Sequence, residues 1–141
     1  MRQSYRELII TTHGPGLYEF TAEAAIAIAD GGVDAGIACV FCRHTSASLL
    51  IQENADADAQ RDLMAFFKRL VPAGDAIFVH TLEGPDDMPA HVKAALTQTS
   101  LTIPIVAGKL ALGTWQGLYL FEHRNAPHRR QVIVQALGAQ A

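Results

Sequence analysis

Cysteine is scarce in this chain of 141 residues, which has only Cys39 and Cys42. They stand as C-x-x-C inside the apolar run GIACVFCR, and no second such pair exists to complete a four-cysteine zinc site. In an extended strand their Cα atoms lie about 10 Å apart at 3.3 Å per residue. A disulfide reaches only about 7 Å, so a disulfide scaffold is excluded and both thiols are expected in the core. Positive charge is short as well: 11 Lys and Arg stand against 14 Asp and Glu, a net charge of −3. A basic face for nucleic acid is not expected. The glycine-rich phosphate loops are missing, both GxGxxG and GxxxxGK[ST], and so is the G-x-S-x-G nucleophile elbow. Long apolar runs are absent too. The nearest, Leu110 to Phe121, is broken by Thr114 and Gln116 and falls short of the ~20 residues that span a bilayer. The opening MRQSYRELIITT lacks the apolar stretch of a signal peptide. The expectation is a cytoplasmic protein with neither a nucleic-acid nor a membrane partner.

What remains is rich in core material. Half of the residues are hydrophobic, and no linker, repeat or low-complexity stretch divides residues 1–141, so a single domain is expected. Tyr5 to Thr12 reads as a strand, His13 to Gly16 as a turn, and Leu17 to Phe20 as extended chain. Thr21 is the expected N-cap of a short helix that Gly31-Gly32 closes. Gly36 to Arg43 and Ser48 to Gln52 read as strands. Asn54 or Asp56 then caps a helix whose Ala59, Leu63, Phe66, Phe67 and Leu70 share one face. Ala76 to His80 reads as another strand, Pro89 as the first turn of a helix, and the chain from Ser100 onward as strands alone. Without a regular βαβ beat this predicts an α+β fold, a mostly antiparallel sheet or sandwich with two or three helices packed against it. GLYLF and VIVQAL are apolar at consecutive positions, so both faces of those strands require cover. Two or three helices cover one face, and the expectation is a homo-oligomer whose subunits cover the other.

Polar chemistry concentrates in three places. In His80-Thr-Leu-Glu-Gly-Pro-Asp-Asp-Met-Pro-Ala-His91 one histidine ends a strand and another begins a helix, with Glu83, Asp86 and Asp87 between them. Asp87 suits a helix cap, and either aspartate suits a ligand or the orientation of a ring. Arg43-His44-Thr45-Ser46 interrupts an apolar segment with more polar groups than a turn requires. Three histidines from three elements, His44, His80 and His91, could form a tripodal metal site with an open position. The third place is Gly113-Thr-Trp-Gln-Gly117 followed by Glu122-His123-Arg124, where an apolar strand ends in charge. A Cys42–His44 nucleophile is disfavoured, because an apolar run raises a thiol's pKa. Phosphate could be held before Pro89 at a helix N-terminus, with Arg43, Arg124 and Arg129 as partners.

These three stretches, HTSASLLIQENAD from His44, HTLEGPDDMPAHV from His80 and GTWQGLYLFEHR from Gly113, resemble the YjbQ family, often labelled secondary thiamine-phosphate synthase. The resemblance runs from about Tyr5 to Leu137. It implies a homotrimer of α+β subunits and a divalent metal, zinc, or magnesium with a phosphate substrate, held by His44, His80 and His91. It also implies an enzyme that joins a pyrimidine pyrophosphate to a thiazole phosphate with loss of pyrophosphate. On that reading Asp87, Glu83 and Arg43 are the catalytic candidates, while Arg124, Ser46 and Gln116 bind phosphate. A metal-dependent hydrolase of a small phosphorylated metabolite and a non-catalytic binding trimer are the alternatives.

Overall fold

The computed structural model describes residues 1–141. The elements are β1 (Arg2–Thr12), β2 (Gly16–Glu19), α1 (Thr21–Gly31), β3 (Ala35–Cys42), β4 (Ala47–Glu53), α2 (Ala57–Leu70), α3 (Asp87–Leu96), β5 (Ser100–Val106), β6 (Lys109–Leu110), β7 (Gln116–Glu122) and β8 (His128–Ala139). They build two antiparallel sheets, one ordered β1-β8-β3-β5-β6 and the other β2-β7-β4. The architecture is α+β.

Strand alternation explains the core. Leu101, Ile103 and Ile105 of β5 and Val132, Val134 and Ala136 of β8 turn inward, where they meet Leu49, Leu118 and Leu120 of the smaller sheet. α1 adds Ala24, Ala27 and Ile28 to the same core. The other two helices cover the opposite face of the smaller sheet. Phe67 of α2 meets Phe121 of β7 edge to face at 5.2 Å between centroids. Thr97, just beyond α3, bonds Ser48 of β4 through their hydroxyls.

This layering resolves the consecutive apolar residues of β7. Leu118 and Leu120 face the core, Tyr119 and Phe121 face the helices, and all four are buried within one chain. For that strand the second cover is intramolecular. β8 alternates, so Ile133 and Leu137 turn to the outer face of the larger sheet.

Two local expectations need correction. Ala76 to His80 forms no strand, since the sheet orders place none beside it. Asp75 instead draws the segment into a turn, its carboxylate accepting from the Ile77 N–H at 3.0 Å. Thr21 does not cap α1 but is its first residue. Its hydroxyl donates to Glu19 and accepts from the Leu118 N–H, tying the helix to β7. Asp56 caps α2 as expected, accepting from the Asp58 N–H at 2.9 Å. No helix is long and apolar enough to cross a membrane.

Candidate metal centre

The loop from His80 to Asp87 must double back before α3 begins. Gly84 makes this possible at φ +103°, where a side chain would be strained. Its N–H donates to the Thr81 carbonyl, and its own carbonyl accepts from the Asp87 N–H. Asp87 therefore opens α3, and His91 follows one helical turn later on the same face.

The outcome is a compact donor set. Asp87 Oδ2 lies 2.6 Å from His80 Nε2 and 3.1 Å from His91 Nε2. Ligand atoms from all three residues fall within 4.8 Å of one another. Asp87 is only 1% exposed, a costly place for a carboxylate unless it is paired. Arg124 pairs it: Nη1 donates to Asp87 Oδ1, Nε to Asp86 Oδ2 at 3.0 Å, and Nη2 to the Glu83 carbonyl at 3.0 Å. Burial pushes the Asp87 carboxyl up. The His80 hydrogen bond and the charges of His91 and Arg124 outweigh burial and hold it below the usual carboxylate range.

His91 Nδ1 lies 2.8 Å from the Thr45 carbonyl, which can only accept, so the proton is on Nδ1. In the neutral ring Nε2 then presents a lone pair to Asp87. Two acceptors face each other across 3.1 Å, and a cation between them, a proton or a metal ion, satisfies both.

Beside this cluster lies a buried hub. Glu122 and Arg130 pair their side chains at 0% and 4% exposure. Glu122 Oε1 accepts from Arg130 Nε at 2.7 Å and from the Thr12 hydroxyl at 2.6 Å. Its Oε2 accepts from the backbone N–H of His123 and of Arg124. Arg130 also donates to the Ser46 hydroxyl and carbonyl. The hub thus anchors both approaches to the His80–Asp87–His91 cluster: the backbone that carries Arg124, and the turn whose Thr45 carbonyl orients His91.

A family profile described as UPF0047 protein YjbQ-like matches residues 6–139. The chain belongs to the YjbQ family. A UPF0047 protein of Synechocystis is 52% identical over 137 residues, covering 97% of this chain and 93% of its own. One from Methanocaldococcus jannaschii is 36% identical, covering 98% and 96%. A solved structure of a YjbQ/UPF0047 protein from Clostridium acetobutylicum superposes with a TM-score of 0.82 at 36% identity, covering 95% of this chain and 99% of its own.

In this YjbQ-family chain the anticipated residues separate into groups. His80, Asp87, His91 and Arg124 come together. His44 stands outside the cluster of its own chain, its Nε2 accepting from the Gln131 N–H at 2.7 Å. Burial, and then the charge of Arg130, hold its imidazole below the usual range, which keeps it neutral. Ser46 is engaged by Arg130 rather than open to phosphate. Gln116 braces the Gly113 turn at the far end of β7, about 20 Å of strand from Glu122 at ~3.3 Å per residue. The Glu83 side chain is exposed in the loop, and its backbone is what touches Arg124. Arg43 lines a cleft of about 640 Å³ together with His44, Thr45 and His91.

Sequence reasoning missed Glu122, Arg130 and Thr12 as a buried unit. The signal was register: Glu122 follows Leu118 and Leu120 on the core-facing side of β7, and Arg130 precedes Val132 and Val134 on that of β8. A charge at an inward position asks for an inward partner.

Proposed function

We propose that this chain is a divalent-metal enzyme acting on a small phosphorylated metabolite, with His80, Asp87 and His91 holding the ion. The observation that carries this reading is the orientation of His91, whose Nδ1 proton goes to a backbone carbonyl while Nε2 turns toward a buried carboxylate. Two imidazoles and one carboxylate suit zinc better than magnesium, which prefers oxygen donors. Such an ion, when bound, would supply Lewis acidity to a phosphate oxygen or to an attacking water. The protein's own part is positioning. Arg124 fixes Asp87, and the Thr45 carbonyl fixes His91. Arg43 is the cation on the adjoining cleft best disposed to meet substrate phosphate, since Glu7 stands 3.9 Å away in a half-exposed pair. Arg124, occupied by Asp86, Asp87 and Glu83, is a positioning residue on this reading and not a phosphate clamp.

The specific form of the proposal is thiamine-phosphate synthesis, the joining of a pyrimidine pyrophosphate and a thiazole phosphate. Family resemblance and the Arg43 cleft support it. A phosphate-ester hydrolase is the second reading, favoured by a donor set that suits zinc-activated water more than pyrophosphate chemistry. Plasma mass spectrometry after dialysis against a mild chelator tests the shared premise. About one ion per chain is expected in the wild type and none in His91→Ala. No metal in either protein would overturn the reading. Once the ion is established, pyrophosphate released from the substrate pair points to the transferase, and phosphate released from a monoester points to the hydrolase.

We also propose that the subunit forms a homotrimer. Tyr5, Ile37, Phe41 and Leu137 are 75%, 47%, 44% and 41% exposed. They share the outer face of the larger sheet, with Ile37 opposite Leu137 and Phe41 opposite Ile133. An apolar face of this kind supports association. Light scattering should give three times the 15.2 kDa chain mass. A particle of single-chain mass at micromolar concentration would contradict it.

A further inference from the structure

Away from the metal centre, a cavity of about 580 Å³ opens between α2, α3 and the helix-facing side of β7. None of His80, Asp87 and His91 lines it. Its apolar wall is Met64, Phe67, Val71 and Phe121, and its cations are Arg61, Lys68 and Lys93. Arg61 pairs with Asp58 on its own helix, whereas Lys68 and the half-buried Lys93 enter no ion pair. The two carboxylates that line the cavity are already neutralised, Asp86 by Arg124 and Glu122 by Arg130. Positive charge is left unmatched over an apolar floor.

A second, independent feature marks the same cavity. His123, 3% exposed, forms part of its wall beside Phe121, the two rings 4.3 Å apart between centroids. Its Nε2 lies 2.9 Å from the Ser48 hydroxyl, while Nδ1 is a buried side-chain nitrogen with no hydrogen-bond partner. The Thr97 hydroxyl has one proton, and the Lys93 carbonyl at 2.9 Å can only accept it. Ser48 therefore donates to Thr97 and accepts from His123 Nε2–H, which leaves Nδ1 an unprotonated acceptor. An orphaned buried acceptor is uncommon and asks for a donor.

We propose that this cavity binds a small organic anion with an apolar body, such as an aryl or alkyl phosphate. The apolar portion packs on Phe67, Phe121 and Met64, and the charged end meets Lys93 and Lys68. A donor at the inner end, such as the O–H of a phosphate monoanion, satisfies His123 Nδ1. The volume lies within the range of pockets that enclose small ligands. The site is separate from the metal centre and does not depend on it.

The test is calorimetric titration of phenyl phosphate into the metal-stripped, full-length protein at low ionic strength. One equivalent should bind with a submillimolar dissociation constant. Lys93→Met should weaken binding at least tenfold, and Lys68→Met, on the exposed face of α2, several-fold. Inorganic phosphate and benzyl alcohol should each bind at least tenfold more weakly than phenyl phosphate. His91→Ala should leave the titration unchanged, which separates this site from the metal centre. No saturable heat would overturn the proposal, as would binding undiminished in both lysine variants, equal affinity for inorganic phosphate, or loss of binding in His91→Ala. Circular dichroism of each variant confirms that a loss is not unfolding.

Discussion

Arg130→Met should lower stability by about 3–5 kcal/mol, a large part of the ~5–15 kcal/mol that holds a domain of this size. The cost arises less from the lost attraction than from what stays behind. Glu122 is fully buried between the sheets, and without Arg130 its carboxylate keeps the Thr12 hydroxyl and two backbone N–H groups as donors, with His128 Nδ1 3.9 Å away. The pH dependence gives the effect a signature. In the wild type, burial pushes the Glu122 carboxyl up, but the Arg130 and Thr12 hydrogen bonds outweigh burial and hold it below its ordinary 4.5. A depressed folded-state value means that the pair's stabilisation is complete above about 4.5 and is lost as pH falls through the folded value. In Arg130→Met the balance reverses: burial dominates, the folded carboxyl titrates above its ordinary value, and the deficit narrows as pH falls from 7 toward 5. Urea denaturation across that interval reads both slopes. A double Glu122→Leu, Arg130→Met variant should recover most of the loss, because it leaves no unpaired charge. An Arg130→Met protein as stable as wild type at pH 7 would mean that the pair is hydrated and the hub does not brace the site.

How much of this was legible in the sequence differs from element to element. The strands read from Ser100 onward and the single apolar face of Ala59, Leu63, Phe66, Phe67 and Leu70 are local patterns, and both became the expected elements. Ala76 to His80 looked equally strand-like, but a strand needs a neighbour, and neighbours are decided by the whole topology. In the candidate site His80, Asp87 and His91 are readable, because a short loop and one helical turn fix their separation. Arg124 was readable as a functional residue and not in its role. Its partners, 37 and 38 residues away in sequence, are brought to it only by the tertiary fold, which seats α3 on β4 beside the end of β7. His44 shows the opposite limit: its motif draws attention, yet within one chain its ring nitrogen is engaged by the backbone of β8. Composition can name a polar histidine, but only the strand beside it determines which lone pair is free.

Arg124→Gln should weaken apparent metal affinity by about 10–100-fold, the usual cost of losing a group that orients a ligand. At saturating ion the stoichiometry should remain that of the wild type, since the three donors are untouched. Arg124 holds both oxygens' surroundings in place: Asp87 directly, and Asp86 with the Glu83 carbonyl beside it. Glutamine reaches less far and carries no charge, so Asp87 loses orientation and its nearest permanent cation together. Burial would then raise the carboxyl of Asp87, and protons would compete with the ion at higher pH than in the wild type. The affinity deficit should therefore widen as pH falls from 7.5 to 5.5, which a purely structural lesion would not produce. Arg124→Lys separates the two contributions. It retains the charge but cannot donate to Asp86, Asp87 and Glu83 at once, so it should recover the pH profile more than the affinity. Competition with a chromophoric chelator at three pH values measures all of this. Affinity unchanged in Arg124→Gln would remove Arg124 from the site and leave Asp87 to be held by its histidines alone.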